Sequence, residues 1–464
     1  MSSFLVVANR LPVRRQDGES PSTWTTSPGG LVAALAPVLE GHPGSVWVGW
    51  TGSVEETFEP FTVDGIDMEP VAMTQDEFER YYEGFCNATI WPLYHDAVIR
   101  SEYHRSWWEV YRAINRRFTE HACARAGPGA IVWVHDYQLQ LMPAQLREQR
   151  PDLRIGFFLH IPFPPIELFL QLPWRRQVLQ GIVGADVVGF QTPQGAANFR
   201  ALVERCEVGE IDGDDLLVDG RRIEVRAFPI GVDAPKLQRM ARDPGIRARA
   251  ASLRDSLGHP AKVLLGVDRL DYTKGIARRL EAFGELLDDG RLKVPRHVMV
   301  QVAEPTRENV PGYSEFREQI DQIVGEINGK HGRFGHPAIN YIHRSQPIEE
   351  LVALYLVADV MLVTPVRDGM NLVAKEYVAC RTDNRGVLIL SEFTGAANSM
   401  SSALMVNPYD IEGLKSTIDR AIHIPDDEER RRMRELRESV ITQDVHRWAA
   451  DWLDALGIAV ETGC

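Results

Sequence analysis

No cysteine pair with CxxC spacing occurs among the five cysteines of this 464-residue chain (Cys86, Cys123, Cys206, Cys380, Cys464). An odd number without paired spacing indicates neither a disulfide framework nor a zinc site, and suits a reducing cytoplasm. Long apolar runs are missing as well. Nothing approaches the length of a membrane span, and the start MSSFLVVANR has no extended apolar core followed by a small-residue cleavage site. A soluble cytoplasmic protein is the expectation, so the sequon NAT at 87–89 carries no weight. Positive charge is in deficit: 51 Lys and Arg against 65 Asp and Glu leave −14, which argues against nucleic acid and against anionic membrane surfaces. An anionic substrate would need a local basic pocket. There is no GxGxxG after a strand and no GxxxxGK[ST], the nearest fragment, GEINGK at 325–330, being wrongly spaced; a nicotinamide or P-loop reading loses its main support. No repeat with a period of roughly 20 to 50 residues is visible, which excludes solenoids and propellers.

What is present is an α/β pattern. A chain of 464 residues exceeds what one hydrophobic core usually serves, so two domains are expected. Short β-branched runs alternate with longer amphipathic segments: FLVVANR, SVWVGW, AIVWVHD, RIGFFLH, DVVGFQ and RRIEVRAFPIG in the first half. A second series follows from residue 262, with KVLLGVDRLDYTKG, RHVMVQVAEPTR, INYIHR, DVMLVTPVRDG, GVLILSEF and LMVNPYD. Near-continuous apolar strands of this kind indicate parallel sheets covered on both faces. The fold class is therefore α/β, with two doubly wound, Rossmann-like domains facing across a cleft and ligands at the carboxyl ends of the strands. The expected domains are 1–232 and 233–442, with the segment 443–464, including DVHRWAADWLDAL, packing back on the first.

Polar residues at strand ends are then the candidates. In TPVRDGMNLVAKEY, 364–377, Asp368 and Gly369 read as the turn after a strand and MNLVAKEYVA as the start of a helix. The first amides of that helix lack helical partners and carry partial positive charge, which suits a diphosphate. Glu376 follows Leu372 by four residues, one turn deeper on the same face, where a carboxylate can accept both hydroxyls of a ribose. Asp368 can accept sugar hydroxyls on the other side of that diphosphate. The plainer reading has Asp368 capping the helix and Glu376 on a solvated face. VDRLDYTKG places Arg269 and Lys274 past the first strand of the second domain, a guanidinium fork and a point ammonium for a departing diphosphate, with a surface salt bridge as the alternative. In the first domain Arg10 ends the first strand in NRLPV, and Gly29 and Gly30 open a helix in SPGGLVAAL, where backbone can approach a phosphate. Asp136 ends a strand in WVHDYQL and His160 the next in FFLHIPFPP. A capping aspartate and a satisfied core histidine are the plain readings there.

Taken together, HDYQL, HIPFP, RLDYTKG and RDGMNLVAKEY, in this order and over essentially the whole chain, resemble the trehalose-6-phosphate synthase family, retaining glycosyltransferases of GT-B fold. YYEGFCNATIWP (81–92) and QVAEPTRENV (301–310) resemble the family's acceptor-site stretches. The resemblance implies transfer of glucose from UDP-glucose or GDP-glucose to glucose 6-phosphate, giving α,α-trehalose 6-phosphate with the donor's anomeric configuration retained. It also implies a final helix crossing from the second domain to the first. On the donor side it implies Arg269 and Lys274 on the diphosphate, with Asp368 and the turn of Gly369, Met370, Asn371, Leu372 and Val373 around the transferred glucose and phosphates. Glu376 would hold the ribose, Gly29 and Gly30 would line the donor site, and His160 would lie near the donor glucose. On the acceptor side it implies Arg10, Tyr82, Trp91 and Arg307 on the phosphate and Asp136 on the hydroxyls. The catalytic set is then Asp136, His160, Arg269, Lys274 and Asp368.

Retention without a carboxylate nucleophile requires attack from the leaving-group face, as this family is thought to do, with two cations and a helix terminus supplying the positive charge. No cofactor or metal is expected, and no DxD motif stands at a strand end that would serve one. Two other classes stay open: a pseudo-glycosyltransferase joining cyclitol units and a catalytically silent sugar-nucleotide sensor. The chain lacks DxDGT, so a separate phosphatase is expected to act on the product; a homo-oligomer is left open. Relatives commonly carry a small or apolar residue where this chain has Glu304, at the wall of the base pocket. An ionised carboxylate only accepts hydrogen bonds, so it suits the adjacent donors of guanine and repels the carbonyl edge of uracil. The expectation is a preference for GDP-glucose, with a solvent-facing Glu304 beside Pro305 as the plain alternative.

Overall fold

The apolar runs become strands covered on both faces, and their order places the polar strand ends. The computed structural model describes residues 1–15, 24–26, 35, 39, 44–307 and 310–457. It divides into two compact units, one of Met1–Ile230 with the chain from His446 onward and one of Gly231–Val445.

The first unit contains β1 (Ser2–Arg10), a small antiparallel pair β2 (Val13–Arg15) and β3 (Trp24–Thr26), then β4 (Val46–Trp50), β5 (Phe61–Val63), β6 (Ile66–Pro70), β7 (Ala126–His135), β8 (Arg154–Phe158), β9 (Val187–Phe190), β10 (Glu210–Asp212), β11 (Asp215–Val218) and β12 (Arg221–Ala227). Ten of them form one sheet in the order β10-β11-β12-β9-β8-β7-β1-β4-β6-β5. Neighbours from β12 to β6 run parallel, and short antiparallel hairpins close both edges. Asp212-Gly213-Asp214, a DxD triplet, is the tip of the β10–β11 hairpin at the outer edge, where Asp212 lies 3.3 Å from Arg222.

The second unit contains β13 (Lys262–Arg269), β14 (His297–Glu304), β15 (Ile339–Ile342), β16 (Val360–Val363), β17 (Val387–Ser391) and β18 (Leu404–Val406). All six are parallel, in the order β15-β14-β13-β16-β17-β18. Strand order reverses between β13 and β16, the switch point at which a doubly wound sheet opens ligand space beyond its carboxyl ends. The loops after β13 and β16 carry Arg269, Lys274 and Asp368. Among the described residues no helix is long and apolar enough to cross a membrane.

The helix Val445–Ala455 turns one aromatic face to the sheet of the first unit. Trp452 stacks on Trp133 (centroids 5.2 Å apart, planes at 16°) and meets Phe158 and Phe228 edge-on at 5.3 and 4.9 Å. Room for its indole comes from Gly156 on β8 and Gly189 on β9, where a Cβ would lie 2.8 and 2.3 Å from the ring. Truncating a buried tryptophan costs its transfer free energy and leaves a cavity, so Trp452→Ala is expected to lower stability by about 3–5 kcal/mol. Urea unfolding measures this, and a loss below about 1 kcal/mol would show that the helix is not seated on these rings.

Candidate active site

In the second unit the site begins where β13 ends. The Leu270 amide donates to Glu304 O at 2.7 Å, tying the ends of β13 and β14 together. Asp271 caps the next turn, accepting from Thr273 N (2.9 Å) and Oγ1 (2.8 Å). The chain then turns at Gly275, φ 64°, where a Cβ would stand 2.0 Å from Thr364 O. Any side chain there would drive the β13 loop away from β16. This close approach brings Lys274 Nζ to 2.7 Å from Asp368 Oδ2, the two side chains being 11% and 12% exposed.

Asp368 is therefore not the helix cap. Asn371 takes that place at φ 76°, its Oδ1 accepting from Ala374 N (3.1 Å) while its Nδ2 donates to Asp368 Oδ2 (3.1 Å). Asn tolerates the left-handed conformation, so the helix runs Leu372–Cys380 and starts later than the run from Met370 suggests. The turn is braced by the loop after β17. The Gly395 amide donates to Asp368 O (3.3 Å) and that of Ala396 to Met370 O (2.9 Å), and a Cβ on Gly395 would sit 2.0 Å from Gly369 O. The helix's opening amides, those of Leu372 and Val373, come ahead of any intrahelical acceptor. One turn deeper, Glu376 accepts from Tyr355 OH at 2.8 Å, so it is not a plain solvated residue.

Around Asp271 three cations gather. Burial raises its carboxyl pKa, but Arg307, then Arg269 and Lys274, outweigh this and hold it below the ordinary range. Arg307, at φ 49°, sets Nη1 3.5 Å from Asp271 Oδ2, bonds Tyr313 OH, and lies 5.4 Å over the Tyr313 ring. Beneath them Asp268, 2.7 Å from Arg279, is pushed up to about 6 by burial. Glu304 is exposed at the end of β14, where Ser345 Oγ donates to its Oε1 at 2.5 Å.

In the first unit, Arg10 ends β1 with its guanidinium 5.1 Å over Trp50 and Nη2 3.4 Å from Thr51 O. Gly52 leaves space for it, since a Cβ there would be 2.0 Å from Nη2. Tyr82 lies 6.4 Å from Trp50 and stacks on Phe78. Tyr82 rides on Phe78–Ile90, a 13-residue π-helix that nothing in the sequence announces and that delivers Trp91 at its end, the Trp91 amide bonding Cys86 O. Such i→i+5 stretches occur frequently at functional sites. The Trp91 ring sits 5.7 Å from that of Tyr137, the neighbour of Asp136. Asp136 has φ 71°, its Oδ1 accepts from His160 N (3.1 Å), and its amide donates to Phe158 O (2.7 Å). Asp136 and His160 are thus joined at the ends of β7 and β8. The candidates Gly29 and Gly30 lie outside the described residues.

Tyr355, Tyr313 and Ser345 carry no site signal in the sequence. Each reads as an ordinary core or loop residue, and only the fold shows the hydrogen bond it makes to a candidate. Among the described residues no group of three or more His, Cys, Asp or Glu is placed to hold a metal ion.

The model of glycosyltransferase family 20 matches residues 2–457. The trehalose-6-phosphate synthase of Mycolicibacterium smegmatis is 52% identical, over 100% of this chain and 94% of that protein. Among solved structures, a UDP-forming α,α-trehalose-phosphate synthase from Burkholderia xenovorans superposes with a TM-score of 0.90 at 34% identity, covering 98% of this chain and 99% of that one. A Burkholderia xenovorans structure of this kind in complex with glucose-6-phosphate superposes at 0.89 with 32% identity, over 98% and 100%.

Burial pushes the Glu376 carboxyl up, with the Tyr355 hydrogen bond partly opposing. A raised carboxyl pKa means that the folded state holds the proton more tightly than the unfolded chain, so the contribution to stability is lost as pH rises through the folded value. Glu376→Gln keeps an acceptor for Tyr355 and removes the charge. Its ligand-free stability should match wild type near about pH 4 and exceed it near about pH 8. Urea midpoints at the two pH values check this, and a loss at the higher one would contradict it.

Proposed function

The chain belongs to glycosyltransferase family 20, and on that premise we propose that it moves glucose from a nucleoside diphosphate glucose to glucose 6-phosphate. The product is α,α-trehalose 6-phosphate, with the donor's configuration retained. The architecture is of GT-B type, two Rossmann-like α/β domains. The observation that carries the reading is the nearly buried Lys274–Asp368 pair at the switch point of the second sheet, beside Arg269 and the opening amides of a helix.

In this reading Arg269, Lys274 and the turn of Gly369, Met370, Asn371, Leu372 and Val373 take the diphosphate, and Glu376, oriented by Tyr355, takes the ribose. Arg10, Tyr82, Trp91 and Arg307 take the acceptor phosphate, Asp136 its hydroxyls, and His160 and Asp368 the transferred glucose. The bond from the anomeric carbon to the phosphate oxygen breaks as the bond to the acceptor hydroxyl oxygen forms on the same face, and the acceptor's proton passes to the departing phosphate oxygen. Charge grows on the diphosphate, where Arg269 and Lys274 stabilise it more than in the ground state. The similarity to synthases over the full chain does not favour the cyclitol-joining or silent-sensor alternatives. Incubation with glucose 6-phosphate and UDP-glucose or GDP-glucose tests the proposal. A phosphorylated α,α-disaccharide is expected, and its absence with both donors would sink it.

Arg269→Ala or Lys274→Ala should each lower kcat by about 10²-fold or more, as loss of a charge contact to the transition state typically does; near-normal turnover would reject the diphosphate role. For the base, the Burkholderia xenovorans synthase is UDP-forming, whereas Glu304, steadied by Ser345, offers a carboxylate suited to guanine. Glu304→Val should therefore shift the ratio of kcat/KM toward UDP-glucose by about tenfold or more. An unmoved ratio means that Glu304 does not read the base.

A further inference from the structure

The histidine of the HDYQL motif has no part in the proposed reaction. His135 is the last residue of β7, its side chain wholly buried, and its Nδ1 lies 3.0 Å from His160 Nε2. The ring centroids are 5.3 Å apart and the ring planes lie at 25° to each other, as two imidazoles meeting edge to edge through their nitrogens would be. Burial depresses the pKa of both rings, that of His160 to about 3, so both are neutral near neutral pH. Two neutral imidazoles joined by one bond share a single N–H, and its direction decides which tautomer each holds.

The surroundings set that direction. His135 Nε2 is buried without a hydrogen-bond partner, and so are the indole Nε1 atoms of Trp133, Trp448 and Trp452. The Trp133 ring lies 4.6 Å from His135, and Trp448 lies 6.4 Å from His160. The neighbourhood is already rich in N–H donors lacking acceptors. A further orphaned N–H on His135 Nε2 would be the more costly outcome, whereas a bare ring nitrogen there is the milder one. This balance favours the proton on His135 Nδ1. We propose that His135 is a positioning residue: it donates Nδ1–H to His160 Nε2 and so fixes His160 in the tautomer that presents Nδ1–H to a hydroxyl oxygen of the donor glucose. The inference rests on the reading of His160 as a residue of the donor-sugar site. The Asp136 carboxylate, accepting from the His160 amide, holds the backbone of the same residue. The ring and the main chain of His160 are thus anchored separately, as an orienting group holds a catalytic histidine elsewhere.

Two-bond ¹H–¹⁵N correlation spectra of the full chain labelled at histidine read the tautomers directly, with rings assigned from single variants. Both His135 and His160 should be protonated at Nδ1; a His160 carrying its proton on Nε2 would overturn the proposal. In His135→Leu, His160 should revert to Nε2–H and kcat should fall by about tenfold or more, the scale of losing an orienting partner. His135→Asn, whose amide nitrogen overlays Nδ1, should restore the Nδ1–H tautomer of His160 and most of the activity. A His160 tautomer that His135→Leu leaves unchanged, or a His135→Asn protein no better than His135→Leu, counts against the proposal. Should the leucine variant fail to fold, the wild-type and asparagine spectra still decide. Separately, His160→Ala with unaltered kinetics would refute the donor-site reading itself, which the spectra do not depend on.

Discussion

Lys274 and Asp368 face each other at 2.7 Å with little access to water, and the strand ends of the second unit are arranged around that contact. Taking two charges out of water is costly unless geometry and further hydrogen bonds compensate. Both are supplied. Gly275 lets one loop touch the backbone after β16, Gly395 lets another touch Gly369, and Asn371 adds a hydrogen bond to the carboxylate while closing the helix. Arg279, wholly buried, donates to Lys274 O and Leu362 O, so the lysine's own backbone is fastened from beneath. Within the proposed reaction, Asp368 keeps the ammonium in place before the donor arrives, and a diphosphate then shares its charge.

The first unit places its polar groups differently, by aromatic packing and backbone strain. Arg10 and Tyr82 gather around Trp50, while Trp91 approaches Asp136 through Tyr137. Asp136 holds a positive φ that a non-glycine residue adopts at a cost, and such strain persists where surrounding structure over-determines it. Here the bonds to Phe158 O and from His160 N do so. The π-helix widens the turn that carries Tyr82 and ends at Trp91, setting the two rings where an α-helix of the same residues would not.

How much of this was legible in the sequence follows from what spacing encodes. KVLLGVDR and DVMLVTP read as parallel strands because both of their faces must be covered, and the parallel sheet of the second unit is what they form. Arg269, Lys274 and Asp368 could be named because ligands bind beyond the strand ends of such sheets, and Glu376 because its spacing from Leu372 puts it one turn deeper on the helix that opens there. The helix cap was harder, since Asp368 and Asn371 both suit it and only backbone geometry gives it to Asn371. Partners distant in sequence were harder still. Tyr355 reads as core in IEELVALYLV, and nothing local connects it to Glu376. Arg307 reads as a cation in a loop, and its burial against Asp271 and Tyr313 depends on packing that local pattern does not specify. The DxD triplet at 212–214 shows the converse, a motif whose place at a hairpin tip gives it an arginine partner instead of a strand end in the parallel sheet.

In the proposed reaction Lys274 serves the diphosphate, and Asp368 neutralises the ammonium until an incoming diphosphate competes with the carboxylate for it. Calorimetric titration of uridine and guanosine diphosphates into the Asp368→Asn protein tests this most directly. Removing the carboxylate frees the ammonium and relieves repulsion of an anion, so nucleoside diphosphate affinity should hold or rise, whereas in Lys274→Ala it should fall. Affinity that falls in Asp368→Asn as far as in Lys274→Ala would contradict the account, because the pair would then be a strut of the fold rather than a binding site held ready.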